Sequence, residues 1–73
     1  MTAPEGQRKP HRIMRHFTAG HLPDDLRVVS EPCCSLAEGM DAHLPDSAEK
    51  SAGLRKLLEA KDCFVRAALE ARA

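Results

Sequence analysis

The chain has 73 residues, of which 42% are hydrophobic and 30% are charged, and its 11 basic and 11 acidic residues give a net charge of zero. A chain of this length forms one domain at most and buries little apolar surface by itself, so a further source of stability is expected. Zero net charge argues against a general binder of DNA or RNA, and the apolar runs are too short to span a bilayer.

The cysteines and histidines do not indicate a disulfide framework or a metal site. Three cysteines are present, two of them adjacent at Cys33 and Cys34, and no secretory signal precedes them, which favours a reduced cytoplasmic setting. The cysteines and four histidines lack the paired spacing of zinc ligands. No metal or cofactor is therefore predicted, and self-association becomes the expected source of stability.

The N-terminal part divides into a tail and a docking segment. Residues 1–12 are polar and contain Pro4, Gly6 and Pro10 without any periodicity, so they are predicted to be a flexible tail. Residues 13–22, IMRHFTAGHL, carry apolar side chains that can dock on the helices that follow. The predicted domain therefore covers residues 13–73.

The first long helix is predicted to begin at Pro23, with Asp24 and Asp25 near the positive end of its dipole. Its apolar residues step by three or four positions, as is typical of a packed helix. They are Leu26, Val29, Cys33, Leu36, Met40 and Leu44. Pro32 predicts a kink or break near Ser30, which then caps a second portion that ends near His43.

The second long helix is predicted over residues 46–72, after a tight turn at residues 44–46. Its apolar residues also recur at helical spacing. They are Leu54, Leu57, Leu58, Val65, Ala68 and Leu69. Asp46 is the predicted cap, with Glu49 reaching back from three residues later. The predicted fold is an all-α hairpin of two antiparallel helices with a short N-terminal segment, in which residue i lies near residue 90 − i.

The apolar stripe and the charge pattern both bear on how the hairpin packs and assembles. The apolar stripe of the second helix is wider than one partner helix covers, which favours a homo-oligomer, although the chain's own N-terminal part is an alternative cover. Charge is also segregated, since residues 22–49 are acidic and both flanking portions are basic. Such segregation is typical of helices with complementary charge.

The antiparallel pairing places Phe17 and His21 at the same end of the hairpin as Lys61, Asp62 and Arg66, where they can form one pocket. Asp62 and Arg66 have the spacing of a surface ion pair, but the planar fork of an Arg also suits phosphate. Lys61 either extends along the apolar stripe to reach water or contacts phosphate. Spacing alone does not decide between these alternatives.

A family resemblance bears on that choice. The residues concerned are Phe17, His21-Leu22-Pro23, Leu26, Ser30, Pro45, Glu49 and the run LRKLLEAKD-x-x-VRA from Leu54 to Ala67. They resemble the hairpin-domain family of small phage proteins that includes the anti-CBASS and anti-Thoeris cyclic-nucleotide sponges. The resemblance covers residues 13–70. It implies a homo-oligomer, commonly a hexamer, that binds cyclic dinucleotides, cyclic trinucleotides or cyclic ADP-ribose isomers between protomers and does not cleave them.

The resemblance also implies roles for particular residues in an infected bacterial cytoplasm. Phe17 would stack on a base, and Arg66 would contact phosphate. Lys61 and Arg15 are further phosphate candidates, while His21 and Ser30 are candidates for hydrogen bonds to base or ribose. The alternative function is a small helical interaction module or antitoxin-like regulator, in which the apolar stripe binds a partner helix. Catalysis is not predicted, because no metal cluster or paired carboxylate site is visible.

Overall fold

The computed structural model of the protein describes residues 10–72, and these residues form an α-helical hairpin. A 3₁₀ helix, Arg12–His16, precedes α1, Asp24–His43, and α2, Ala48–Glu70. No strand occurs among residues 10–72. The predicted all-α hairpin with a short N-terminal segment is therefore confirmed.

Helix α1 begins where the sequence predicts but runs on without the predicted break. Pro23 precedes its first turn, which carries Asp24 and Asp25, and Pro32 lies in its interior. An interior proline costs roughly 3 kcal/mol because it removes one backbone hydrogen bond. The helix continues because Cys33 and other residues beyond the proline are buried against the rest of the domain. The prediction that Ser30 caps a second portion is wrong, since Ser30 lies within α1.

Helix α2 is two residues shorter at each end than predicted, and its cap is a different residue. The side chain of Ser47, not that of Asp46, accepts a hydrogen bond from the backbone N–H of Lys50 at 3.0 Å. Ser47 takes this role because its extended backbone directly precedes the first helical residue. The carboxylate of Asp46 instead lies 3.0 Å from the Nζ of Lys50.

The turn is closed by the buried Lys50. Its Nζ lies 2.9 Å from the Asp41 carboxylate and also donates to the carbonyl oxygens of Asp41 at 3.1 Å and Leu44 at 2.8 Å. Burial by itself lowers the pKa of Lys50, but the hydrogen bonds that Lys50 donates to the Asp41 and Asp46 carboxylates outweigh it and raise that pKa. The contact of Asp41 with Lys50 agrees with the predicted antiparallel register.

The open end of the hairpin carries an exposed ion pair. Arg72 donates to both carboxylate oxygens of Asp25, at 2.6 and 2.7 Å, and this contact lowers the pKa of Asp25. The predicted register places Asp25 opposite residue 65 instead. Helical side chains lean toward the N-terminus of their own helix, so Asp25 extends outward from the open end, where Arg72 follows the last residue of α2.

Residues 10–22, termed here the N-terminal segment, pack across one face of the hairpin. Phe17 and Ala19 form the core with Cys34, Ala37 and Leu54. Further apolar residues surround this core: Ile13, Met14, Leu22, Leu57 and Leu58. The prediction that this segment docks on the helices is confirmed.

The predicted tail, residues 1–12, lies mostly outside the described residues, but its end is part of the folded domain. The backbone N–H of His11 donates to the Asp41 carboxylate at 3.2 Å, and His11 Nε2 lies 2.9 Å from Ser51 Oγ. His11 thus belongs to the domain, two residues before the predicted boundary. None of the helices within residues 10–72 has the length and apolar character needed to cross a membrane.

Candidate ligand-binding site

A cavity of about 390 Å³, termed here the Arg66 cavity, opens where the N-terminal segment meets the second half of α2. It brings together four of the six predicted site residues, namely Arg15, His21, Lys61 and Arg66. The other lining residues are His16, Thr18, Leu22, Asp62 and Val65. His21, Lys61, Asp62 and Arg66 line one cavity, as the antiparallel pairing predicts, whereas Phe17 does not line it.

Local structure explains why these side chains meet. In α2, residues 62 and 66 are one turn apart and therefore share a face. Opposite them, the 3₁₀ helix supplies Arg15, and the loop that links it to α1 supplies His21. Packing of Phe17 and Ala19 into the core fixes the loop against α2.

Lys61 forms part of the wall of the Arg66 cavity. Its side chain is only 12% exposed, and its Nζ donates to the backbone carbonyl of His16 at 2.8 Å. The same Nζ lies 6.0 Å from the centre of the Phe17 ring and 3.8 Å from the Asp62 carboxylate. Lys61 therefore ties the 3₁₀ helix to α2 and brings a positive charge to the cavity.

Arg66 is exposed, and its guanidinium does not form the ion pair that its spacing permits. Its Nη2 lies 3.3 Å from Cys63 Sγ, a weak acceptor, while the Asp62 carboxylate is near Lys61. Among residues 10–72, no carboxylate lies within ion-pair distance of Arg66. Most of the donors of its planar fork remain available to an anion.

Phe17 and Ser30, which are also predicted to contact the ligand, do not line the Arg66 cavity. Phe17 is 4% exposed and fills the core, and its small exposed part borders a different cavity, beside Met14 and Asp41. Ser30 is 0% exposed, and its hydroxyl has no hydrogen-bond partner within residues 10–72. Both side chains are thus almost fully buried.

Sequence reasoning missed a second basic cavity, on the other side of the 3₁₀ helix. Arg12 and Arg55 line it, together with His11 and Ser51, and its volume is about 440 Å³. We refer to it as the Arg55 cavity. The available signal was the spacing of Ser51, Arg55, Asp62 and Arg66, which places all four on the face of α2 that meets the N-terminal segment.

The opposite face of the hairpin carries an apolar groove of about 540 Å³ near the turn. Its apolar lining includes Leu36, Met40, Leu44, Pro45, Leu54 and Leu57. Gly53 also lines it, and a Cβ atom added at Gly53 would meet nothing within 4 Å. This groove corresponds to part of the apolar stripe that the sequence predicts to be too wide for one partner helix.

The cysteines are unpaired in the part of the chain that the structure describes. Cys33 and Cys34 are buried and Cys63 is exposed. Burial raises the pKa of the Cys34 thiol, an effect that the positive charge of Lys61 partly offsets. Within residues 10–72, no group of three or more His, Cys, Asp or Glu side chains is arranged to hold a metal ion.

Comparisons of the chain with protein-family models, with curated proteins and with solved structures found no match. The resemblance to cyclic-nucleotide sponges thus stays a prediction carried by the residues quoted above.

Proposed function

We propose that the protein binds cyclic nucleotide second messengers and sequesters them uncleaved in the cytoplasm of an infected bacterium, as its resemblance to phage sponges implies. The observation that supports this proposal is the Arg66 cavity, in which Arg15, Lys61 and Arg66 converge with His21. A cyclic oligonucleotide carries several phosphates and flat bases, so it requires cationic donors beside a stacking surface.

The burial of Phe17 changes how the base is held in this proposal. With Phe17 in the core, the flat side chains that border the cavity are the imidazoles of His16 and His21. Imidazole rings stack on nucleobases as other aromatic side chains do. We therefore assign base contact to His21 and phosphate contact to Arg66 and Arg15, with Lys61 as a supporting positive charge.

The proposed sponge is a homo-oligomer, and the apolar groove is its proposed interface with a second copy. Large apolar side chains on this side are unusually exposed, with Leu36 at 51%, Met40 at 41% and Phe64 at 52%. The space beside Gly53 is open as far as residues 10–72 are concerned, which suits close approach of another helix. A shallow cavity on one protomer also gains depth when a second copy lies beside it.

The proposed oligomer is tested with Met40→Glu, which places a charge in the groove. We expect this variant to remain helical and to sediment as a monomer, while the unchanged protein sediments as an oligomer. A matched control is Lys56→Glu, on the exposed outer face of α2. If the protein without substitutions already sediments as a monomer, the proposed interface is ruled out.

Sequestration is tested directly with a mixture of cyclic dinucleotides, cyclic trinucleotides and cyclic ADP-ribose isomers. Free ligand is quantified by chromatography after incubation with the protein and again after heat denaturation. We expect one species to disappear and to return intact on heating. Return of a linear product would show an enzyme, and no loss of any species would contradict the proposal.

The role of Arg66 is tested by Arg66→Ala, with Lys56→Ala as the matched control. Removing a guanidinium from phosphate loses charge-assisted hydrogen bonds, and we expect retention of the ligand to weaken by about tenfold or more. The assembly is expected to be unchanged, because Arg66 is exposed. Collapse of the oligomer in Arg66→Ala would show that the residue is structural.

A second candidate function is a helical interaction module, which the apolar groove favours. An amphipathic helix of a partner protein would lay its apolar face between Met40 and Leu57. This candidate predicts a monomer with a free groove and no retained nucleotide. The chromatographic and sedimentation measurements together separate it from the sponge.

A further inference from the structure

We propose that the Arg55 cavity is a separate binding site for a small phosphorylated molecule. The cavity has a volume of about 440 Å³, which lies in the range of small-molecule pockets. The 3₁₀ helix supplies one wall and the first half of α2 supplies the other. It shares Arg15 and His16 with the Arg66 cavity, but Arg12, Arg55 and Ser51 line only this one.

The charge of the cavity indicates an anionic ligand. Arg12, Arg15 and Arg55 all line it, and among residues 10–72 none of them has a carboxylate within ion-pair distance. Arg27 and Arg72 behave differently, since they pair with Asp24 and Asp25, whereas Arg66 in the other cavity has no carboxylate partner among residues 10–72 either. Three guanidinium groups that have no carboxylate partner among residues 10–72 surround one concave space, and their positive potential attracts anions.

Hydrogen bonds fix the position of His11, which lines the cavity. His11 Nε2 lies 2.9 Å from Ser51 Oγ, and the backbone N–H of His11 donates to the Asp41 carboxylate at 3.2 Å. The carboxylate of Asp41 does not neutralise the site, because it lies 2.9 Å from the Nζ of Lys50. The site therefore combines the hydrogen-bonded pair of His11 and Ser51 with the exposed guanidinium groups of the three arginines.

The donor set favours phosphate over a carboxylate ligand. Each guanidinium presents five N–H donors in a planar fork, and three such groups exceed what one carboxylate accepts. A phosphate group has three or more acceptor oxygens, and Arg binds them through paired hydrogen bonds. We therefore assign the site to ligands with one or more terminal phosphates.

This inference goes beyond the proposed function and does not depend on it, because the residues that distinguish the two cavities differ. Arg55 and Arg12 are absent from the Arg66 cavity, and Arg66 and Lys61 are absent from the Arg55 cavity. Binding at either cavity can therefore be removed by substitutions that leave the other intact. The shared Arg15 is left unchanged in the test.

The experiment titrates the full chain with inorganic pyrophosphate while the Nε–Hε resonances of the arginines are followed by NMR. We expect saturable shifts at Arg12 and Arg55, with affinity about tenfold weaker in Arg55→Gln. Arg12→Gln is a second variant expected to give the same result. Lys56→Gln is the matched control on α2, and a thermal melt of each variant checks that it is folded.

Three outcomes would overturn the inference. The first is the lack of any saturable shift at Arg12 and Arg55. The second is equal weakening in Lys56→Gln and Arg55→Gln, which would show general attraction of anions to the surface. The third is loss of binding in Arg66→Gln but not in Arg55→Gln, which would assign pyrophosphate to the Arg66 cavity alone.

Discussion

The two faces of the hairpin differ in one respect, since the N-terminal segment covers one face and leaves the other bare. The two aromatic residues show the contrast, because Phe17 is 4% exposed on the covered face and Phe64 is 52% exposed on α2 away from it. Similar apolar side chains thus serve as core or as surface according to what the rest of the chain reaches. Among residues 10–72, the N-terminal segment covers only one of the two faces.

The largest expected effect tests this contrast through the two phenylalanines. Phe17→Ala should lower the free energy of unfolding by about 3–5 kcal/mol, since it empties the centre of the core. Phe64→Ala should change it little, because the ring is half exposed. Urea unfolding followed by circular dichroism measures both. Equal losses in the two variants would mean that the covered face is no more important to stability than the bare one.

The next largest effect concerns Lys50, which joins the turn to the covered face through Asp41. Lys50→Met should lower the free energy of unfolding by about 3 kcal/mol, because it removes the ammonium group that lies 2.9 Å from the buried Asp41 carboxylate. Lys56→Met, at an exposed position of the same helix, is the matched control and should be nearly neutral. A neutral result for Lys50→Met in the same urea measurement would show that packing alone holds the turn.

The contribution of Lys50 should also depend on pH. Because the folded state raises the pKa of Lys50 above its ordinary 10.5, its contribution is fully present below pH 10.5. The contribution is lost as pH rises through the folded-state pKa. The stability difference between the unchanged protein and Lys50→Met should therefore narrow in strongly alkaline solution. A difference that stays constant across this range would contradict the assigned ion pair.

The smallest effect concerns the bare face, and it runs in the opposite direction. Gly53→Ala should raise the free energy of unfolding of the monomer by roughly 1 kcal/mol, because Ala is the better helix former and its methyl group has no neighbour within 4 Å among residues 10–72. Dilute protein is used for the unfolding measurement. Destabilisation would show that the space beside Gly53 is already occupied. Sedimentation of the same variant then reports whether the added methyl group weakens association.

Much of the fold follows from local patterns in the sequence. Apolar spacing predicted both helices, and each end of α2 lies within two residues of its predicted position. Pro23 and its two acidic neighbours correctly marked the start of α1. The break at Pro32 was predicted wrongly, because the local cost of a proline does not include the packing of the residues beyond it. The predicted helix cap was Asp46, but the observed cap is Ser47, because both of these adjacent polar residues are suitable capping residues.

The candidate site was predictable in its location but not in its details. The antiparallel arrangement brings Arg66 near His21, whatever the packing of individual side chains. Burial of Phe17 could not be read from its spacing, because a single aromatic residue suits a core and a stacking surface equally well. The role of Lys50 was also missed, since a lysine within a helix is usually solvated and its buried partners depend on the turn.

The Asp41 carboxylate accepts a hydrogen bond from the backbone N–H of His11 and pairs with the ammonium group of Lys50. His11 precedes Asp41 in the sequence and Lys50 follows it. One carboxylate thus links the beginning of the described chain to the turn of the hairpin. If the N-terminal segment detached, the Asp41 carboxylate would lose the hydrogen bond from His11. The same carboxylate also pairs with Lys50 and so helps to hold the turn. We expect amide protons in both regions to exchange with solvent through a common opening event, as members of a single cooperative unit.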